Sequence, residues 1–288
     1  MDGVPVGEIL YERPGDDSSR SRLLLKLLVT TQQLSIQVHP DDAYAHSIGL
    51  PRGKTEAWYV LSAAPGAKVG VGLKKTISSP QLAHAIADGS IADLIEWRSV
   101  VQGDVVLVPA GTIHTIGPAL AIAEIQQQSD ATFRVFDFGR GRELHVADAI
   151  AAAHLGTVKA APAPLLFSDA RTLLVVDPQF VFEKIELLPD SHWSFRAEKE
   201  TWLFALHGCA QIGPFETSTG DAILVEDDEV RIDVSEQGLK CLAAYPGPAP
   251  ASDLLKRVPA ADAMNSPRAL ARQPSLTVVS STQQETRT

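Results

Sequence analysis

Short apolar runs recur along the chain, separated by clusters of Gly, Pro and Asp. In the first half they cover residues 23–29, 34–38, 57–61, 105–109, 120–126 and 133–138. In the second they cover 172–176, 181–187, 201–206, 222–225 and 239–244. Runs this short, rich in Val, Ile and Phe and bounded by turn residues, predict strands, and so many of them predict an all-β sandwich or barrel. Helix is expected mainly over about 79–97. There Pro80 falls in the first turn after the cap candidate Ser79, and Leu82, Ile86, Ile91, Leu94 and Ile95 form an apolar face interrupted at Gly89. A second helix is expected over 146–154 and a short one over 252–257.

The pattern repeats. Gly103-Asp104-Val105-Val106-Leu107-Val108 is echoed by Gly220-Asp221-Ala222-Ile223-Leu224-Val225. Upstream, Lys54-Thr55-Glu56-Ala57-Trp58-Tyr59 aligns with Glu198-Lys199-Glu200-Thr201-Trp202-Leu203, which sets Glu200 opposite Glu56. Two related β-barrels follow, residues 1–157 and 158–248, joined through the proline-containing stretch 160–164. The remaining 249–288 is rich in Ser, Thr, Gln and Pro, and a disordered tail is expected from Ser266 onward.

Composition narrows the function. Hydrophobic residues make up 45% and charged residues 21%, so a sizeable core is available. The net charge of −10 argues against a nucleic-acid or anionic-membrane surface. Two cysteines, Cys209 and Cys241, exclude a disulfide framework and give no thiolate metal site. Neither a signal sequence nor a membrane-length apolar run is present, and a cytoplasmic protein is expected.

One strand carries unusual chemistry. In Leu34-Ser35-Ile36-Gln37-Val38-His39-Pro40, alternation puts Ser35, Gln37 and His39 on one face and Leu34, Ile36 and Val38 on the other. Glu56 opens the next strand, where it shares a face with Trp58 and Val60. His114 follows a strand and a Pro109–Gly111 turn. Two imidazoles, a carboxylate and an amide oxygen suit a divalent transition metal and leave positions for water or substrate. Taken singly, each residue reads more readily as structural or solvated.

These segments, together with Gly53-Lys54-Thr55-Glu56-Ala57-Trp58-Tyr59 and Ala123-Glu124-Ile125-Gln126-Gln127-Gln128-Ser129-Asp130-Ala131-Thr132-Phe133-Arg134, closely resemble the type I mannose-6-phosphate isomerases in their short bacterial form. The match spans about 6–140 and continues more loosely to about 247. The resemblance implies two cupin-like (jelly-roll) barrels and one zinc ion per chain, held by Gln37, His39, Glu56 and His114. It further implies a substrate phosphate bound by Ser35, Lys54 and Lys26, and Arg134 and Glu124 as catalytic residues. The substrate would be a small sugar phosphate, isomerised between mannose 6-phosphate and fructose 6-phosphate by a monomer or homodimer.

The chain departs from the family in lacking its Trp-Gly segment ahead of Val6-Gly7-Glu8 and the helical insertion of the larger enzymes. In the second repeat Arg231 occupies the His114 position, so no metal is expected there. Asp137 and Arg140 read as structural. His46, His84, His145, His154 and His207 read as solvent-facing. The competing readings are another metal-dependent cupin enzyme, such as an iron dioxygenase, and a non-catalytic sugar-phosphate sensor.

Overall fold

The structure is a computed structural model and describes residues 7–13, 21–259, 276–278 and 281–284. The chain divides into two compact units, each discontinuous in sequence. The first comprises Met1–Leu10, Leu24–Ala161 and Thr282–Thr288, and the second Tyr11–Leu23 and Pro162–Ser281.

The first unit is built on β1 (Glu8–Tyr11), β2 (Leu23–Thr30), β3 (Ile36–Val38), β4 (Glu56–Ala63), β5 (Lys68–Leu73), β6 (Ile95–Ser99), β7 (Val105–Val108), β8 (His114–Ile116), β9 (Leu120–Gln127) and β10 (Phe133–Phe136). Its helices are α1 (Asp42–Ser47), α2 (Ser79–Asp88), α3 (Ile91–Leu94) and α4 (Val146–Ala152). The second unit contains β11 (Leu165–Ser168), β12 (Arg171–Val176), β13 (Phe180–Leu187), β14 (His192–Ala197), β15 (Thr201–Ile212), β16 (Phe215–Ser218), β17 (Ala222–Val225), β18 (Asp228–Pro246), β19 (Leu255–Val258) and β20 (Leu276–Val278). A last strand, β21 (Ser281–Gln284), follows. The expected mainly β class is borne out.

Two sheets make the first unit, in the orders β21-β1-β2-β9-β4-β7 and β10-β3-β8-β5-β6. Between them lies a core of Trp58 and Val60 from β4, Val106 and Val108 from β7, Ile122 from β9, Val69 and Val71 from β5 and Ile116 from β8. Ile36 and Val38 of β3 turn the other way and pack with Leu82, Ile86, Ile91 and Ala149 of the helices. The five-stranded sheet is therefore apolar on both faces, and a polar residue on its inner face is an exception to be explained. Leu34, expected to side with Ile36 and Val38, instead packs against the inner core, because β3 begins only at Ile36.

The helix expected over 79–97 is three elements. Ser78, not Ser79, caps α2 and forms a capping box with Gln81. Gly89 then takes a left-handed conformation (φ +80) that ends the helix, with the Phe136 ring 3.2 Å from where a Cβ would stand. After the single turn of α3, Ile95 leaves as strand β6 beside β5. The helix expected at 252–257 is a turn followed by β19, which pairs with β14. The expected disordered tail lies largely outside the described residues, and within it 276–278 and 281–284 form β20 and β21.

Pairing in the second unit corrects the alignment of the repeat. In the first unit Val60 exchanges hydrogen bonds with the Gly103-Asp104 turn (Gly103 N to Val60 O, Val60 N to Asp104 O, both 2.9 Å). The residue doing the same with Gly220-Asp221 is Ala205, also at 2.9 Å in both bonds. Counted from there, Trp58, which faces Val106, corresponds to Leu203, which faces Ile223. Glu56, which faces Val108, corresponds to Thr201, which faces Val225. A one-residue slip moves every side chain to the opposite face, so Glu200 is not the counterpart of Glu56. It accepts hydrogen bonds from Ser21 Oγ, from Arg22 N (2.6 Å) and from Trp202 Nε1 (2.9 Å).

Candidate metal centre

Three sequence motifs are tied together by backbone hydrogen bonds before any side chain is considered. Lys54 N donates to Pro40 O at 2.9 Å, and Gly111 N donates to His39 O at 2.7 Å. Gly53 lets the strands come this close: a Cβ there would stand 2.5 Å from Pro40 O and from the carbonyl carbon of Asp41. Gln37 in β3 lies opposite His114 on β8 and opposite Arg134 on β10. Glu56 opens β4 in the other sheet, with Gln126 and Val108 as its neighbours. Gln37 and His114 thus come from one sheet and Glu56 from the other.

His39, Glu56 and His114 are each about 1% exposed, and their ligand atoms lie within 4.8 Å of one another. His39 Nδ1 is 2.7 Å from Ala131 O, and His114 Nδ1 is 2.9 Å from Thr112 O. A carbonyl only accepts, so each Nδ1 carries a proton, which leaves Nε2 as the atom each ring turns toward the pocket. Both Nε2 atoms turn to one carboxylate: His114 Nε2 is 3.1 Å from Glu56 Oε1, and His39 Nε2 is 3.5 Å from Oε2. His39 Nε2 and Glu56 Oε2 are buried without a hydrogen-bond partner. Burial, reinforced by Lys54, lowers the His39 pKa to about 3, so the ring stays neutral. Burial opposes charge on Glu56, but Lys54, whose Nζ is 3.7 Å away, helps hold it well below the usual carboxylate range.

The His39 ring, neutral and with Nε2 unpartnered beside Glu56 Oε2, sets acceptor against acceptor in a dry pocket, which a cation between them would satisfy. These three residues could hold a metal ion, and the orphaned nitrogen and oxygen fit that role. Gln37 adds its amide, with Nε2 3.3 Å from His114 Nε2, and rotating the amide by half a turn presents its oxygen instead.

Glu124 is 4% exposed, and its Oε2 accepts the indole N–H of Trp58 at 3.0 Å. Burial, with the charge of Glu56 behind it, pushes its pKa up to about 7. Lys26 pairs with Glu8 at 2.9 Å. Burial works against its charge, but Glu124 and Glu8 outweigh it and raise its pKa. Both lysines of the expected phosphate set therefore lie beside carboxylates. Ser35 is buried just ahead of β3.

Arg134 shares the register position of Gln37, and its Nη1 donates to Glu143 O at 2.9 Å while its Nε is buried without a partner. Nearby, Asp137 accepts from Arg142 (Nε to Oδ2 2.9 Å, Nη2 to Oδ1 2.5 Å) and from Arg140 (Nη2 to Oδ1 2.8 Å). These bonds, Arg142 foremost, depress the Asp137 pKa to about 2. The carboxylate contributes stability at neutral pH, and the contribution is lost as pH falls through about 2. Asp137→Asn is expected to cost about 1–3 kcal/mol at pH 7, because two guanidinium groups lose their shared anion. Denaturant unfolding of both proteins should show that difference shrinking between about pH 4 and pH 2. His145, expected in solvent, is half-buried, and its Nδ1 accepts the Arg134 amide at 3.0 Å.

Comparison with known proteins bears on this site. No family model matches the chain. Over 189 residues it is 39% identical to the mannose-6-phosphate isomerase of Streptococcus mutans, an overlap of 62% of this chain and 60% of that protein. It is 38% identical over 142 residues to a mannose-6-phosphate isomerase of Bacillus subtilis, covering 46% of this chain and 44% of that one. The crystal structure of a B. subtilis mannose 6-phosphate isomerase superposes with a TM-score of 0.69 at 26% identity, covering 81% of this chain and 76% of that chain. The chain is related to the mannose-6-phosphate isomerases. The resemblance carried by its motifs is thus borne out in sequence and in fold. The aligned stretches span 60% and 44% of the two curated isomerases.

Several participants escape sequence reading. The carbonyls of Thr112 and Ala131 set both tautomers, yet a backbone oxygen leaves no mark in a sequence. Glu8, partner of Lys26, and Trp58, donor to Glu124, were visible only as residue types. Gln126 could have been found, because strand alternation puts it on the face of Glu124.

Proposed function

We propose that the protein is a zinc-dependent aldose–ketose isomerase interconverting mannose 6-phosphate and fructose 6-phosphate. The observation that carries this reading is the pair of buried imidazoles, each with Nδ1 tied to a carbonyl and Nε2 turned to Glu56, in a chain related to isomerases of that name. Gln37, His39, Glu56 and His114 would hold the ion. When bound, zinc supplies Lewis acidity, lowering the cost of negative charge on the sugar oxygens at C1 and C2.

The remaining work falls to the chain itself. Glu124 takes the proton from C2 and returns it to C1, and a pKa raised toward neutrality suits a group that must both accept and release it. Arg134 places fixed positive charge beside the enediolate. Ser35, Lys54 and Lys26 bind the phosphate, a hydroxyl and two ammonium groups against a dianion. The first unit is the catalytic one, and the second binds no metal. Among the described residues no helix is long and apolar enough to cross a membrane.

The reading is tested by incubating the zinc-loaded protein with mannose 6-phosphate and assaying fructose 6-phosphate, before and after chelation. Turnover that chelation abolishes and added zinc restores is expected. A zinc-loaded protein that produces no fructose 6-phosphate would sink the proposal, and activity dependent on iron and oxygen would favour a dioxygenase.

A further inference from the structure

Gln126 is absent from the ligand and acid–base sets, yet it is the most enclosed polar residue near them, with 0% exposure. It stands in β9 directly opposite Glu56 in β4, and paired residues share a face of the sheet with Cβ atoms about 5 Å apart. Glu124, two residues earlier in β9, and Ile122 of the inner core share that alternation, so the Gln126 side chain points between the sheets. The orientation of its amide is fixed by chemistry. Nε2 donates to Gln127 O at 3.1 Å and to Ser129 O at 2.9 Å, and neither carbonyl could accept from an oxygen. Oε1 is therefore held facing the other way, buried and without a hydrogen-bond partner.

What could such an oxygen bind? The charged and hydroxyl groups assigned to the substrate (Lys26, Lys54, Arg134 and Ser35) are donors. Of the two buried carboxylates, Glu56 belongs to the proposed metal ligands and Glu124 already accepts from Trp58. A sugar presents hydroxyl hydrogens that need an acceptor, and Gln126 Oε1 offers one already oriented.

We propose that Gln126 is a substrate-recognition residue whose side-chain oxygen accepts a hydrogen bond from a hydroxyl of the sugar phosphate bound in this site. The proposal rests on the isomerase reading and adds to it a cause of selectivity. A buried acceptor left unpaired penalises any ligand lacking the matching hydroxyl.

The test compares full-length, zinc-loaded wild type and Gln126→Met with mannose 6-phosphate and its 3-deoxy and 4-deoxy analogues. Calorimetric Kd, kcat/KM and zinc content are measured for each protein. Wild type should bind one analogue at least about tenfold more weakly than the parent sugar. Gln126→Met should bind that analogue and the parent within about twofold of each other, with zinc content unchanged. Equal analogue penalties in the two proteins overturn the assignment. Loss of zinc with the penalties preserved also overturns it, in favour of a role in holding the metal. Should Gln126→Met fail to fold, Gln126→Asn keeps the amide but retracts it and carries the same comparison. Binding is read whether or not product forms, so sugar phosphate bound without turnover sinks the isomerase reading while leaving the Gln126 comparison decisive.

Discussion

Glu56→Gln is expected to strip the protein of zinc and lower kcat/KM for mannose 6-phosphate by at least about a thousandfold, or ~4 kcal/mol of transition-state stabilisation. Glu56 is the one anion of the proposed ligand set, and both imidazole Nε2 atoms converge on it. Its removal has a second effect. Lys54 Nζ lies 3.7 Å from Glu56 Oε2, so neutralising the carboxylate leaves an ammonium group beside the cation with nothing to balance it. Glutamine also brings its own N–H donors into a cluster of acceptors, which lets the protein satisfy itself without metal. Zinc measured after dialysis should be near zero. Stoichiometric zinc in Glu56→Gln would remove the carboxylate from the ligand set.

Glu124→Gln is expected to lower kcat by about 10²–10⁴-fold while zinc content stays at the wild-type level. The substitution isolates the chemistry, because a glutamine oxygen can still accept from Trp58 Nε1 where Glu124 does so at 3.0 Å. Burial raises the Glu124 pKa to about 7, and a base works only when ionised. Wild-type activity should therefore rise with pH over a range well above that of an ordinary carboxylate. A cation bound at Glu56 would draw the midpoint down from 7, and the limb should be missing from the residual activity of the variant. If kcat is unchanged, the proton is moved by another group.

Much of the candidate site was legible because strand alternation has period two. Gln37 and His39 could be assigned to one face from Leu34-Ser35-Ile36-Gln37-Val38-His39 alone, and Ile36 and Val38 do pack on the other. Leu34 broke the pattern because alternation holds only inside a strand. β5 was missed because Gly70 and Gly72 dilute its apolar signal, although Ile95 and Thr115 side-chain atoms stand 2.5 and 2.8 Å from where a Gly70 Cβ would be. The strand β6 was read as helix because Ile91, Leu94 and Ile95 continue a helical face, and spacing carries no notice that the chain turns at Gly89. Register was the deepest loss. Matching Trp58 with Trp202 is the obvious reading of the letters, but hydrogen bonds to Gly103 and Gly220 pair Trp58 with Leu203. Sequence similarity cannot see a slip of one residue in a ladder, and that slip decides which way a carboxylate faces.

The network around Glu200 bears on how this protein could be divided. Its donors, Ser21 and the Arg22 amide, belong to the stretch Tyr11–Leu23, which is separated in sequence from the rest of the second unit by Leu24–Ala161. A fragment beginning at Pro162 would expose a buried carboxylate to water and leave Trp202 as its remaining indole donor. Cutting the chain once, by protease or by gene truncation, cannot release either unit whole. Circular permutation or co-expression with the leading peptide is what separating them would require.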